Sequence, residues 1–247
     1  VISRKGVLVL SSSLDSVGLM AKNVELCRLG YEVMKNKTNI KKTNLYDKEA
    51  NLIIPTNFGF EDIEPQIKSS FDTAKQKLAE NGFNVVEIHV PALDLYKKVP
   101  LWQFAAVESQ TEYFEAYNDK KHLMDPNILR RMDRANDVLA VEYNLLLNIR
   151  KKLIKEFNNF LKNNFLLLPT VTIYPPLLED CKDEPYYDEV NLISLRNTTL
   201  ANYMNGCSIS LPYSKDDKSI GIMLNGTTKN DEKLLGISAK VETVLSK

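Results

Sequence analysis

Three consecutive serines at residues 11–13 stand close to Lys5, and this grouping could do covalent chemistry. A serine hydroxyl is a weak nucleophile until a base takes its proton, and a nearby amine is one such base. Serine hydroxyls at the end of a strand also bond to backbone groups, which is a purely structural use. The residues alone therefore allow either a nucleophile with its base or a polar turn.

Other side chains suited to recognition lie far along the chain. Arg130 and Arg131 are adjacent, and a guanidinium can hold a carboxylate through two parallel hydrogen bonds. Two arginines before a helix are more often part of a solvated face. Asn202 and Cys207 share one passage, and for each we favour a structural role, a backbone-bonding amide and a small buried thiol.

The composition excludes several classes of function. Lysine plus arginine and aspartate plus glutamate both number 32, so no basic surface for nucleic acid or anionic membranes is indicated. Only 9 glycines occur and no glycine-rich loop, which argues against phosphate cradles, dinucleotide sites and serine-hydrolase elbows. We expect no cofactor.

The cysteines and histidines give no indication of disulfide bonds or of a metal site. Cys27, Cys181 and Cys207 are far apart and odd in number, and His89 and His122 have no partner at useful spacing. We expect a reduced, cytoplasmic protein without a metal. No apolar run reaches transmembrane length, and the N-terminus lacks the pattern of a signal peptide.

The elements that must position these residues follow an α/β pattern. The run at residues 7–10 is wholly apolar and predicts a strand covered on both faces, with Asp15 capping the turn that follows. A helix is expected from about Leu19 to Met34, and residues 36–50 read as a polar surface linker.

The middle of the chain predicts a strand–helix–strand crossover, and hence parallel strands. Its parts are strands at 51–55 and 83–91 around a helix at 63–80 that is closed by Asn81 and Gly82. Further predictions are helices at 101–117 and 138–161, a buried strand at 164–170, a loop at 175–187, a strand at 219–224 and a helix opening at Asp231. Val138, Val141, Leu145, Ile149 and Leu153 should form the packed side of the second helix.

The first 27 residues resemble a segment of the amidase signature family. Ser3-Arg4-Lys5-Gly6, then Ser12-Ser13-Leu14-Asp15, then Ala21-Lys22-Asn23-Val24-Glu25 follow the family order G-R-x-S-x-x-G…S-x-D-x-x-G-P…A-R-x-V-x-D, with Leu19 where proline is usual. Residues 164–170 are similar to the family's D-x-L-L-x-P-T, and Asn202 to Pro212 to its N-x-x-x-x-x-x-[IL]-S-[VL]-P. The resemblance spans nearly the whole chain.

This resemblance implies an α/β fold with a mixed β-sheet covered by helices, of which residues 1–247 form the C-terminal part of a single domain. The family hydrolyses a carboxylic amide with a catalytic lysine and two serines, and all three would precede Val1. The expected protein is therefore an amidase whose catalytic residues lie outside this chain, and the serines at 11–13 become structural. Residues expected to bind the small-molecule amide are Arg131, Arg196, Asn202 and Cys207.

Two alternatives stay open. Arg130-Arg131-Met132 followed by Tyr143 is similar to the amidotransferase branch that releases ammonia from glutamine for tRNA charging, where an arginine near this position holds a substrate carboxylate. That branch has an aspartate where this chain has Leu195, which weakens the match. The other alternative is a binding module without catalysis. A homodimer, or partner subunits of an amidotransferase, would be the macromolecular partners, with no membrane and no direct nucleic-acid binding.

Overall fold

The computed structural model describes residues 2–35, 50–215 and 218–246. The predicted surface linker at 36–50 therefore lies outside the described residues, except for Ala50. That residue is buried beside the first strand, with 6% of its surface exposed.

The described residues form one five-stranded mixed sheet, as predicted for an α/β fold. Its order is β2-β1-β3-β5-β4; β1 runs parallel to β2 and β3, and β5 runs antiparallel to β3 and β4. The strands are β1 Asn51–Pro55, β2 Asn84–Ile88, β3 Phe165–Pro169, β4 Cys207–Lys215 and β5 Lys218–Gly226.

Helices cover both faces of the sheet. They are α1 Val24–Met34, α2 Pro65–Glu80, α3 Pro91–Tyr96, α4 Trp102–Glu112, α5 Phe114–Lys120, α6 Pro126–Asp133, α7 Ala140–Leu161, α8 Glu184–Tyr203 and α9 Asp231–Leu245. One core lies between the sheet and α1, α2 and α9, and the other between the sheet and α3, α4, α7 and α8. No helix in the described ranges is long and apolar enough to cross a membrane.

The central strand β3 shows why the sheet is covered on both sides. All five of its residues are buried. Phe165 and Leu167 enter the first core, whereas Leu166 and Leu168 enter the second. A continuous apolar run of this kind is what a strand between two helical layers requires.

The predicted crossover is confirmed. β1, α2 and β2 follow in order, and Asn51 aligns with Asn84 in parallel register. The apolar positions of α2 at spacings of three and four face the sheet, because Ile67, Phe71 and Leu78 are almost fully buried.

The prediction of a buried strand at residues 7–10 is wrong. Val7, Leu8 and Leu10 are 52%, 86% and 55% exposed, and the described sheet contains no strand there. A strand needs a neighbour that accepts its hydrogen bonds, and this run joins neither edge of the sheet. Arg4 and Asp15 instead close the segment on itself as a turn: the guanidinium of Arg4 donates to the carbonyl oxygens of Ser12 and Asp15.

Three helix boundaries and faces also differ from prediction. α1 begins at Val24 rather than near Leu19, because the Asn23 side chain accepts a hydrogen bond from the backbone of Leu26 and caps the helix there. The acidic loop ends at Asp183, whose carboxylate caps α8. In α7 the expected stripe is only partly right: Leu153 is buried, but the side chains of Val141 and Leu145 are 61% and 57% exposed, and the helix buries Leu146, Leu153, Phe157 and Leu161.

Candidate functional site

A cavity of about 710 Å³ lies between the N-terminal segment, the end of α8, β4 and the start of α9. Polar groups that line it include Ser16, Asn202, Asn205, Lys229 and Asp231. Its volume falls in the range of small-molecule sites, which are usually concave with a few polar groups. The cavity is therefore the best candidate site in the described part of the chain.

The turn from α8 into β4 forms one wall of the cavity. Asn205 adopts a positive φ of 51°, and the backbone N–H of Gly206 donates to the carbonyl oxygen of Ala201 over 2.8 Å. A Cβ at Gly206 would come within 2.5 Å of the carbonyl oxygen of Gly226. Glycine is thus required for the close approach that brings Cys207 to the cavity wall.

Cys207 lines the cavity but is 8% exposed. Burial raises the pKa of its thiol to about 12, so the group stays protonated at neutral pH. Because the thiolate is the reactive form, Cys207 cannot act as a nucleophile here.

Asn202 also lines the cavity, but its amide is engaged in holding the chain together. Its Nδ2 donates to the carbonyl oxygen of Leu14 over 2.8 Å and to the hydroxyl of Ser16 over 3.4 Å. The side chain therefore anchors the N-terminal segment to α8.

Ser11 is the serine of the triplet whose hydroxyl is most firmly engaged. It is 2% exposed, and it donates to the carboxylate of Glu108. The same carboxylate accepts from the N–H of Ser13 over 3.0 Å and from the hydroxyl of Tyr143 over 2.7 Å. Burial works to raise the pKa of Glu108, but these hydrogen bonds together outweigh it and hold the pKa below its ordinary value. A buried hydroxyl on a weakly basic carboxylate is a structural contact rather than an activated nucleophile.

Arg131 lies away from the cavity, near the first turns of α8. Its guanidinium carbon is 5.9 Å from the ring centroid of Tyr187, and its Nη2 is buried without a hydrogen-bond partner among the described residues. Arg130 instead forms ion pairs of 3.1 Å with both Glu184 and Asp188. The two adjacent arginines thus differ, since only Arg131 keeps a buried donor without a partner.

Arg196 lies on another side of α8 and holds two loops. It donates to the hydroxyl of Thr172 over 2.9 Å, to the carbonyl oxygen of Glu61 and to the carboxylate of Asp62 over 3.3 Å. These contacts occupy most of its guanidinium, and Arg196 does not line the cavity.

The structure does not bring the four predicted binding residues together. Asn202 and Cys207 line the cavity, whereas Arg131 and Arg196 do not. Tyr187, which Arg131 contacts, is 15 residues before Asn202 on α8, or about 22 Å along the helix axis at a rise of about 1.5 Å per residue. The described residues provide no cleft that joins Arg131 to Asn202.

Two charged residues at this site were not found from the sequence. Glu108 stands on α4 after an apolar run at residues 104–107, and Arg150 stands in the middle of α7. Arg150 donates to the carbonyl oxygens of Ser13, Asn202 and Tyr203 over 2.9 to 3.1 Å. No local signal in the sequence distinguishes either of them, because Arg150 is followed by Lys151 and Lys152, and Glu108 by a polar run at residues 109–112.

One smaller correction concerns a histidine. His89 has a partner, because its Nε2 lies 2.7 Å from the carboxylate of Asp94 on α3, and both side chains are exposed. Within the ranges that the structure describes, no group of three or more histidine, cysteine, aspartate or glutamate side chains could hold a metal ion.

Comparison with known sequences places this geometry in context. The chain is 27% identical over 255 residues to the 2-amino-5-chloromuconic acid deaminase of Comamonas testosteroni, a match that covers 98% of this chain and 54% of that protein. It is 25% identical over 281 residues to a glutamyl-tRNA(Gln) amidotransferase subunit of Treponema denticola, covering 96% and 57%. The chain thus spans a little over half the length of these relatives.

Solved structures share the fold. A crystal structure of an amidase superposes with a TM-score of 0.82 at 18% identity, over 99% of this chain and 56% of that chain. The corresponding glutamyl-tRNA(Gln) amidotransferase subunit of Thermotoga maritima gives a TM-score of 0.71 at 19% identity, over 97% and 55%.

The model of the Amidase family matches residues 1–235, which is almost the entire chain. That match agrees with the motifs around Arg4, Asp15 and Asn202 and with the mixed sheet covered by helices. The chain therefore belongs to the Amidase family.

Proposed function

We propose that the complete protein is an amidase that hydrolyses a carboxylic amide to an acid and ammonia or an amine. The family match over residues 1–235 is the observation that carries this proposal. The described residues offer no serine with a free base beside it, so the nucleophile and its base are assigned to polypeptide outside residues 1–247. The protein would act in the cytoplasm without a cofactor.

The reaction would pass through a seryl acyl-enzyme. A deprotonated serine oxygen attacks the amide carbon, the C–N bond breaks as the nitrogen takes up a proton, and water then cleaves the acyl ester to release the acid. This chain supplies the sheet, the cavity and the polar side chains that hold residues 10–16. Asn202 and Cys207 would form part of the cavity wall that the substrate meets.

Arg131 is proposed to bind an acidic group of the substrate. Its buried Nη2 has no partner among the described residues, whereas Arg130 is neutralised by Glu184 and Asp188. The name of the Comamonas relative also describes an acid as its substrate. Arg131 lies on α6 and contacts Tyr187 near the start of α8, whereas Asn202 lies near the end of α8, so Arg131 would hold a remote carboxylate rather than the scissile amide.

The experiment compares Arg131→Met with the matched control Arg130→Met in the complete gene product. Ammonia release is measured with an amide that carries a second carboxylate and with its neutral counterpart. The loss of one charge-assisted hydrogen bond, about 1.5–3 kcal/mol, should lower kcat/KM for the acidic amide by about tenfold or more in Arg131→Met alone. The neutral amide should be affected less than about twofold.

If Arg131→Met lowers kcat/KM equally for the acidic and the neutral amide, the role of Arg131 is structural. An absence of ammonia release from every amide by the unmodified complete protein would instead contradict the amidase proposal itself.

A second candidate is the glutamine-hydrolysing subunit of a tRNA-dependent amidotransferase. The relative from Treponema denticola supports it. Leu195 speaks against it, because its apolar side chain, 48% exposed, cannot pair with the ammonium of glutamine. Glutaminase activity that appears only with copurified partner subunits would favour this candidate over a free amidase.

A further inference from the structure

Residues 10–16 are held by side chains from three different helices. Glu108 of α4 accepts from the N–H of Ser13, Arg150 of α7 donates to the carbonyl oxygen of Ser13, and Asn202 of α8 donates to the carbonyl oxygen of Leu14. Because these hydrogen bonds are made to backbone atoms of the segment, they fix its path independently of its own side chains.

We call these three side chains, Glu108, Arg150 and Asn202, the clamp, and Glu108 is at its centre. Its Oε2 accepts from Ser11 and Ser13, and its Oε1 accepts from Tyr143, so both carboxylate oxygens are in use. Three donors at one partly buried carboxylate favour its ionised form.

Among the described residues, the cation whose charge is coupled to Glu108 is Arg150. The charged or titratable groups that act on it from α7 are Tyr143 and Arg150, and the guanidinium of Arg150 lies 5.5 Å from the ring centroid of Phe104 on α4 itself. From the segment, Asp15 directs its carboxylate to the N–H groups of Leu10 and Ser11 rather than to Glu108.

Removal of the Glu108 carboxylate would destabilise the segment through its partner Ser11. Ser11 is 2% exposed, so its hydroxyl would be left buried and unpaired if the carboxylate were removed. The exposed apolar residues Val7 and Leu8 on the other side of the turn give the segment no buried contact of their own. Leu14 packs against the second core, so apolar and polar contacts together hold residues 10–16, and Glu108 makes two of the polar contacts.

We infer that Glu108 is a positioning residue whose ionised carboxylate locks residues 10–16 onto α4 and α7. In the complete amidase, the locked segment would set where the adjoining catalytic polypeptide stands relative to the cavity. This second step rests on the proposed function, whereas the lock itself does not.

The test of the lock uses amide hydrogen exchange, read by mass spectrometry on the 247-residue chain at low micromolar concentration. The variant is Glu108→Gln, and the control is Glu112→Gln, the same change at an exposed position one turn further along α4. Exchange within residues 10–16 should accelerate at least tenfold in Glu108→Gln and stay unchanged in Glu112→Gln. Peptides from β1 and β3 should exchange as before in both variants.

If exchange at residues 10–16 is unchanged in Glu108→Gln, the lock is contradicted. It is also contradicted if exchange in β3 accelerates by the same factor as exchange at residues 10–16. If Glu108→Gln does not fold, Ser11→Ala removes a single donor and should accelerate the same peptide by a smaller factor. No acceleration in Ser11→Ala would then count against the lock.

The functional step is tested in the complete gene product. Glu108→Gln should lower kcat at least tenfold while KM changes less than twofold, and Glu108→Asp should recover part of kcat because it keeps the charge. A rise in KM alone would contradict a positioning role. If the unmodified protein hydrolyses no amide, the proposed function fails, but the exchange result still decides the lock.

Discussion

At the scale of single residues, three side chains that look reactive have structural roles instead. Ser11, Asn202 and Cys207 are the side chains that would first attract attention in a hydrolase. Ser11 is bonded to Glu108, Asn202 holds the carbonyl oxygen of Leu14, and burial keeps Cys207 protonated. Each therefore maintains the shape of the cavity region, which an enzyme must have before any nucleophile can work in it.

The reactivity of Cys207 can be checked directly. With its pKa raised to about 12 by burial, the thiol should not react with iodoacetamide at pH 7.5 within a time that labels Cys27 and Cys181, which are both partly exposed. Mass spectrometry of the peptides gives the labelled fraction at each cysteine. Labelling of Cys207 as fast as that of Cys27 would show that the cavity wall opens.

A pH dependence follows from Glu108. Its pKa is lower in the folded chain than in the unfolded chain, so its contribution to stability is present above the unfolded value and is lost as the pH falls through the folded value. Tyr143 and Arg150 keep their charge states in that range. The free energy of unfolding of the wild type should thus fall towards that of Glu108→Gln as the pH drops below about 4.3, the ordinary value for glutamate.

Urea denaturation at a series of pH values measures this difference. Asp15 is present in both proteins, so the comparison isolates Glu108. A gap between wild type and Glu108→Gln that stays constant down to pH 2 would mean that folding does not lower the pKa of Glu108.

At the scale of elements, the sequence was most informative where one pattern determines one structure. The α2 stripe of Ile67, Phe71 and Leu78 predicted the crossover, and the run in β3 predicted a strand between two layers. Residues 7–10 carry the same kind of apolar run as β3, yet they form an irregular loop. The difference lies in distant partners, because β3 finds β1 and β5, and no local pattern encodes those pairings.

The same reason explains which parts of the site escaped prediction. Asn202 and Cys207 were recognised through a local motif, and they do line one cavity. Glu108 and Arg150 belong to the same region through contacts between residues 95 and 137 positions apart. Arg131 was expected to bind the same amide as Asn202, but it contacts the start of α8 whereas Asn202 lies near the end of that helix, and nothing in the spacing of the residues reveals that.

The α8–β4 turn supports a prediction at this scale. Gly206→Ala places a Cβ against the carbonyl oxygen of Gly226, and overpacking of this kind costs about 1–3 kcal/mol. Gly18→Ala is the control, because nothing lies within 4 Å of a Cβ built there. Urea denaturation should show the loss in Gly206→Ala alone, and equal stability of the two variants would mean that the turn relaxes freely.

At the scale of the whole molecule, apolar exposure is concentrated near the start of the chain. Leu8 and Met20 are 86% and 102% exposed, and the outer side of α1 presents Leu26, Leu29 and Val33 as well. Exposed apolar side chains in this number favour association. We expect the isolated chain to aggregate as its concentration rises.

The double change Leu8→Ser and Met20→Ser tests where the association arises. It should raise the concentration at which light scattering appears by several fold, with little change in thermal stability. Leu178→Ser is the matched control, since Leu178 is 87% exposed and belongs to the loop before α8. An equal gain in solubility from the control would show that association is not a property of the N-terminal region.

The isolated chain should also lack activity. Its described residues hold no activated nucleophile, and removal of a nucleophile and its base lowers the rate of an enzyme by many orders of magnitude. Ammonia release from amides by the purified 247-residue chain should equal that of buffer. Turnover that is abolished by Ser12→Ala or Ser13→Ala would contradict this.

The position of β3 at the centre of the sheet has a consequence for synthesis on the ribosome. Its parallel neighbour β1 emerges earlier, but its antiparallel neighbour β5 begins at Lys218, 49 residues after Pro169. At a synthesis rate of roughly 5–20 residues per second, one side of this wholly apolar strand waits about 2–10 s for its partner. During that interval Phe-Leu-Leu-Leu-Pro is the natural binding segment for a chaperone that recognises short extended apolar sequences.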